Sequence, residues 1–157
     1  MILRYHTPLT PEEQRAFGIE TPQPVALADK VRYAELDVLN HVNNKAYMGW
    51  FESLRVAYFS RVCAPFYEDQ PLPRTVLRSA EMQFLREMVM GEDYVATARV
   101  TAFRTTSFTI RQELWSGDLR ATMTGIMVMM RPDGSGRWPL PDALRQRFLQ
   151  DGATAES

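Results

Sequence analysis

Residues 37–62 read DVLNHVNNKAYMGWFESLRVAYFSRV. The first eight, Asp37 to Asn44, gather one carboxylate, three asparagine amides and one of the chain's two histidines. The rest changes character. Tyr47, Phe51, Leu54, Tyr58 and Val62 recur three or four residues apart, with Trp50 beside them, which is the spacing of one helix face. Lys45, Glu52 and Arg55 share another arc, and Arg61 lies near the end. The pattern predicts a long helix over 45–62, largely buried because so little of it is charged. A polar cluster just before such a helix has two readings. Asn40 or Asn43 can cap the first turn, where Asx side chains accept orphan N–H groups, and His41 can be a bonded loop residue. Alternatively, the helix start carries roughly half a positive charge and several free donors. That end suits an oxyanion, with Asp37 beside it as base or nucleophile.

Outward from this segment the periodicity is that of strands. Val25, Leu27, Val31 and Tyr33 alternate with Ala26, Lys30 and Arg32 before it, and Pro65 with PFYEDQPLPR ends the helix after it. Thr75–Glu87 puts Val76, Ala80, Met82 and Phe84 on one face, and Tyr94–Phe103 alternates Tyr94, Ala96, Ala98 and Val100 with polar residues. Ser107–Trp115 alternates less regularly, Ser116-Gly117-Asp118 is a turn signal, and Leu119–Met130 ends in GIMVMM, which suits a strand covered on both faces. Thr10-Pro11-Glu12-Glu13 has the form of a capping box, predicting a short helix over 11–17 that stops at Gly18. A terminal helix is expected over 141–150, followed by DGATAES as a frayed tail. With no repeat and no internal linker, residues 1–157 read as one domain with a core over about 24–131. The order strand, long helix, four strands implies an α+β architecture, one antiparallel sheet wrapped around the helix.

Composition narrows the function. The chain has 157 residues, 45% of them hydrophobic and 24% charged, with net charge −1. That balance suits a globular protein and offers no basic excess for nucleic acid. The start MILRYHTPLTPEEQ lacks the apolar stretch of a secretion signal, and no apolar run is long enough to span a bilayer. One cysteine, Cys63, leaves no internal disulfide, so a cytoplasmic setting is expected. Two histidines and one cysteine do not supply a conventional zinc site. Cys63 reads as a packed thiol, the Met123–Met130 cluster as core or as the lining of an acyl pocket, and Gly134-Ser135-Gly136 as a turn.

RYAELDVLNHVNNKAYMGWFESLR resembles the hot-dog-fold acyl thioesterases, including the 4-hydroxybenzoyl-CoA thioesterase type. Around LDVLNHVNN it is similar to the plant acyl-carrier-protein thioesterases. The resemblance implies hydrolysis of an acyl-CoA or acyl-carrier-protein thioester to acid and thiol, a place in lipid metabolism, and neither metal nor cofactor. It also implies a site between two subunits, hence a homodimer at least, with a homotetramer as the larger option. Asp37 matches the catalytic aspartate, a general base on water or a nucleophile according to subgroup, and Tyr47 the tyrosine ten residues on. Asn44 matches the position whose backbone N–H polarises the thioester carbonyl, and His41 the histidine of the plant-type motif. FLREM, residues 84–88, points to Glu87, and FRTTSF, residues 103–108, offers Arg104 and Ser107 as substrate contacts, with Arg104 facing the CoA phosphates. Leu39 departs from the plant-type loop, which has a catalytic asparagine there; Asn40 or Asn43 is the amide at hand to replace it. Two rival functions share these residues: a hot-dog hydratase or dehydratase on the same carriers, and a non-catalytic acyl-CoA-binding protein.

Overall fold

The computed structural model describes residues 2–157. Five antiparallel strands form one sheet in the order β1-β3-β4-β5-β2: β1 (Val25–Lys30), β2 (Arg74–Phe84), β3 (Asp93–Phe103), β4 (Ser107–Ser116) and β5 (Asp118–Met130). One helix, α2 (Asn44–Tyr58), lies in the concave face. A short α1 (Pro11–Phe17) precedes the sheet and α3 (Asp142–Gln150) follows it. This is an α+β hot-dog fold.

The stripe of α2 meets the inward side chains of the sheet. Tyr47, Phe51, Leu54 and Tyr58 are all buried, and Val62 continues the line beyond the helix. Trp50 stacks on Tyr94 of β3 at a centroid distance of 4.2 Å. Each such aromatic or leucine side chain withdrawn from water contributes about 1.5–3 kcal/mol, so this seam is the main tie between helix and sheet. Opposite the stripe, Met48 and Val56 are exposed, so α2 in a single chain is buried along one face rather than all round. The regular helix ends at Tyr58, earlier than its apolar spacing predicts. A π-helical turn, Phe59–Cys63, and a 3-10 turn, Ala64–Tyr67, carry the chain on. Pro65, with no N–H to donate, keeps the regular ladder from resuming beyond them. Cys63 is buried there, and burial pushes its thiol up to about 12, leaving it a packing residue.

Three further expectations need correction. β1 stops at Lys30 instead of running to Tyr33, because Tyr33–Glu35 coils into a 3-10 turn in which the Glu35 carboxylate accepts from the Arg32 N–H at 2.8 Å. Tyr33 is consequently 78% exposed. In β2 a bulge between Leu77 and Ser79 inverts the side-chain phase, so Val76 does not share a face with Ala80, Met82 and Phe84. The strand also ends at Phe84, where the Leu85 and Arg86 N–H groups both turn to the Arg120 carbonyl. Finally, the terminal tail is not frayed. Ala153 is buried, and Thr154–Ala155 forms a two-residue β6 parallel to Ala102–Phe103 of β3, with the Glu156 N–H donating to the Phe103 carbonyl.

The two sheet edges differ. Along β1 the N-terminal arm is hydrogen-bonded to the strand, His6 N–H to the Ala28 carbonyl and Leu9 N–H to that of Ala26. A small second core of Leu9, Ile19, Ala26, Ala28 and Val95 holds the arm down. The β2 edge has no partner among the described residues, and Val76, Phe84 and Leu85 are each about half exposed along it.

Candidate active site

The loop between the 3-10 turn and α2 is built by its own side chains. Asn40 adopts a left-handed backbone, φ 61°, which asparagine tolerates better than most residues. Its N–H returns to the Asp37 carbonyl at 3.1 Å, and the Asp37 N–H donates to the His41 carbonyl at 2.8 Å. Inside this ring the Asp37 carboxylate accepts through Oδ1 from the Leu39 N–H at 2.8 Å and the His41 N–H at 3.3 Å. Oδ2 has no partner among the described residues, and Asp37 is exposed. One oxygen is thus anchored and the other is available.

Asn43 is the N-cap of α2. Its Oδ1 accepts from the Ala46 N–H at 2.8 Å and its Nδ2 donates to the Glu35 carbonyl at 2.8 Å. Both ends of the amide are therefore committed to holding the helix start. Glu35 ties the same corner a second way, accepting from Trp50 Nε1 at 2.6 Å. The N–H groups of Asn44 and Lys45, the first two of the helix, have no acceptor among the described residues. They stand unpaired at the positive end of the helix.

His41 Nε2 stands 3.9 Å from Glu87 Oε1, with side chains 36% and 72% exposed. That distance permits attraction but exceeds a hydrogen bond. Glu87 lies past the end of β2, in a segment fixed by Val42 N–H to the Met88 carbonyl and by Arg120 Nη1 to the Glu87 carbonyl. Tyr47 is buried against Trp50 and Phe84, each 5.3 Å away between ring centroids. Burial pushes its hydroxyl up to about 12, so it stays a neutral donor.

The structure thus brings Asp37, His41, Asn43, Asn44, Tyr47 and Glu87 together. It does not bring Arg104 and Ser107 to them. Those two lie at the β3–β4 turn, at the other end of β3, which at about 3.3 Å per residue is about 33 Å away along the strand. There they line a groove of about 350 Å³ with Arg78 and Glu156, and Arg104 Nε stands 3.9 Å from Glu156 Oε1. Sequence reasoning missed Arg78, which the β2 bulge delivers, and Arg120, which braces the Glu87 segment while paired with Glu92 at 2.9 Å and Asp118 at 2.6 Å. Neither has a local sequence signal, since both act through residues distant along the chain. Glu35 had one: a glutamate three residues into a turn can accept from the N–H that opens it, as it does from Arg32.

This geometry coincides with a family assignment. The chain belongs to the thioesterase-like superfamily, whose model matches residues 31–148. Over 99% of its length it is similar to the whole of a thioesterase-superfamily protein of Jannaschia sp. CCS1 of known crystal structure, with 42% identity and a TM-score of 0.87. A thioesterase of Thermus thermophilus, crystallised with coenzyme A and zinc, is 27% identical with a TM-score of 0.69, covering 81% of this chain and 98% of that one. The uncharacterized protein YsmA of Bacillus subtilis (strain 168) is 26% identical over 101 residues, 64% of this chain and 67% of YsmA. Among the described residues no helix is long and apolar enough to cross a membrane.

Proposed function

We propose that this protein hydrolyses an acyl-CoA or acyl-carrier-protein thioester, releasing the free acid and the thiol. The observation that carries the reading is the Asp37 carboxylate, pinned by two N–H groups with one oxygen free, beside the unpaired N–H groups that open α2. The T. thermophilus relative, crystallised with coenzyme A, supports CoA as the carrier. In this mechanism the thioester carbonyl oxygen rests on the Asn44 N–H. Asp37 either draws a proton from water, which attacks the carbonyl carbon, or attacks that carbon itself to give an anhydride that water then opens. As the tetrahedral centre forms, negative charge collects on the oxygen at the positive end of the helix. Collapse breaks the C–S bond and the sulfur leaves as a thiolate, which takes up the proton held on Asp37 in the first route and one from water in the second. A thiol-release screen over short, long, branched and aromatic acyl-CoAs, with acyl-carrier protein in parallel, tests this. Turnover of enoyl or 3-hydroxyacyl thioesters without free thiol would mean a hydratase or dehydratase instead.

His41 orients the loop or a water rather than serving as a second base, because Asp37 already has a free carboxylate oxygen. Glutamine keeps hydrogen-bonding capacity at both ends, so His41→Gln should lower turnover by about tenfold, roughly 1.4 kcal/mol. A loss as large as that of an Asp37 variant on the same substrate would place His41 in the chemistry.

The subunits join through β2, since the other edge is covered by the N-terminal arm. A two-fold axis pairs an edge strand with its copy antiparallel. The first half of β2 then faces the second half of the neighbouring β2, beyond whose end Asp37 of the partner subunit stands, with Arg78 at mid-strand. The Arg78, Arg104 and Ser107 groove reaches the active site across that interface and receives the CoA phosphates there. At micromolar concentration light scattering should show at least twice the 18.1 kDa chain mass. An active species of one chain mass rules out a shared site.

A further inference from the structure

A groove of about 440 Å³ opens between the second half of α2 and the first half of β2, on the helix side of the sheet. Its walls are mostly apolar: Val56, Phe59, Pro73, Leu77 and Met127. Glu52, Thr75 and Arg55 also line it, and the environment of Arg55 is unusual for an arginine. It is partly buried, and among the described residues it forms no ion pair. Glu52, one turn earlier, lends only a through-space attraction and is exposed, where solvent screens it. Desolvation accordingly holds the guanidinium below its ordinary value.

The guanidinium is nevertheless aimed. Gln112 of β4 is fully buried under α2, and its Nε2 donates to the Phe51 carbonyl at 2.7 Å. That bond leaves Gln112 Oε1 as the acceptor for Arg55 Nη1 at 3.1 Å, with Met123 Sδ at 3.4 Å as a weak second. Nε and Nη2 have no acceptor among the described residues. A buried amide thus holds one nitrogen of the guanidinium, and the side chain lines a mostly apolar groove with its remaining donors available to an acceptor there.

We propose that Arg55 makes this groove a selector for acyl groups ending in a carboxylate. The ligand class is the monothioester of a dicarboxylic acid, its methylenes on the apolar walls and its distal carboxylate on the free guanidinium donors, a pairing the planar fork favours. The inference rests on the thioesterase reading above. Under edge-to-edge pairing of β2, the groove beside Thr75 and Leu77 faces the end of the neighbouring β2 that carries Asp37 of the partner subunit. An acyl chain can then run from that carbonyl to Arg55.

The test is kcat/KM by thiol release for a length series of straight-chain acyl-CoAs and the ω-carboxyacyl-CoAs of the same lengths. At the optimal length the carboxylated member should be preferred by about 10–100-fold, the scale of one or two charge-assisted hydrogen bonds. Arg55→Met should bring that ratio to about unity, mainly through loss on the carboxylated member, and Arg55→Lys should restore part of it. Gln112→Leu, with Arg55 intact but unaimed, should lower the ratio by several-fold; thermal melts confirm that each variant is folded. A wild-type enzyme that prefers plain chains at every length overturns this proposal alone. So does an Arg55→Met variant that slows both series by the same factor, which would mark a structural arginine. No thiol release from any member overturns the hydrolase reading and this proposal with it.

Discussion

Asp37→Asn should lower turnover by about 10²–10⁴-fold, the usual contribution of a positioned base. The substitution is close to isosteric. An asparagine Oδ1 can still accept from the Leu39 and His41 N–H groups that hold Asp37 Oδ1, so the loop should keep its shape. The free oxygen, however, becomes an amide nitrogen that neither takes a proton from water nor attacks a carbonyl. The loss should therefore fall on kcat with little change in KM, because the helix start that receives the carbonyl is untouched. Steady-state thiol release on the best substrate of the screen measures both terms. Near-wild-type turnover by a pure, folded variant would remove Asp37 from the chemistry and with it the proposed mechanism.

Phe51→Ala should cost about 3–5 kcal/mol of stability, the range for truncating a buried aromatic. Phe51 is completely buried at the middle of the α2 seam. Its own carbonyl also accepts from the buried Gln112 amide, so local collapse to fill the hole would pull on a bond that positions Arg55. Little relaxation is available, which places the effect toward the upper end. For a chain of this size the melting temperature should drop by about 6–20 °C. Wild type and variant must be compared at one protein concentration, since subunit association adds to apparent stability. A loss below about 1 kcal/mol would mean that the sheet is held by something other than the helix it encloses.

The departure at Leu39 shows how a local rule and a tertiary fact differ. An apolar side chain cannot replace the amide of the plant-type loop. In the folded loop, though, residue 39 contributes its backbone N–H to Asp37, which any residue but proline can do, and the leucine side chain is 70% exposed. Of the two amides at hand to stand in for it, Asn43 is held at both ends as a cap, and Asn40 serves the loop through its left-handed backbone. What positions the carboxylate is backbone, and backbone donors are invisible to a reading of side-chain types.

The irregular alternation of β4 makes a related point. Its inward positions are Phe108, Ile110, Gln112, Leu114 and Ser116, a regular two-residue period that a polar residue at 112 obscures. Gln112 is tolerated inside because Phe51 and Arg55 satisfy it, and both lie more than fifty residues away in the chain.

By itself the sequence determined the parts governed by local periodicity and capping. These are the α2 stripe from Tyr47 to Tyr58, the strand character of 75–130, the α+β order, and the crowding of Asp37, His41 and Asn43 at the start of a buried helix. Such features depend on neighbours within about four residues, so spacing encodes them. Tertiary structure alone decided the rest. It placed Arg104 and Ser107 at the far end of the sheet from Asp37, and set Arg78 beside them through a bulge. It pinned the tail to β3 and covered the β1 edge while leaving β2 open. It also turned Arg55 on a buried glutamine toward an apolar groove. Each of these depends on strand order and register between segments far apart in the chain, and pairwise hydrogen bonding across a sheet leaves no mark in the spacing of either strand alone.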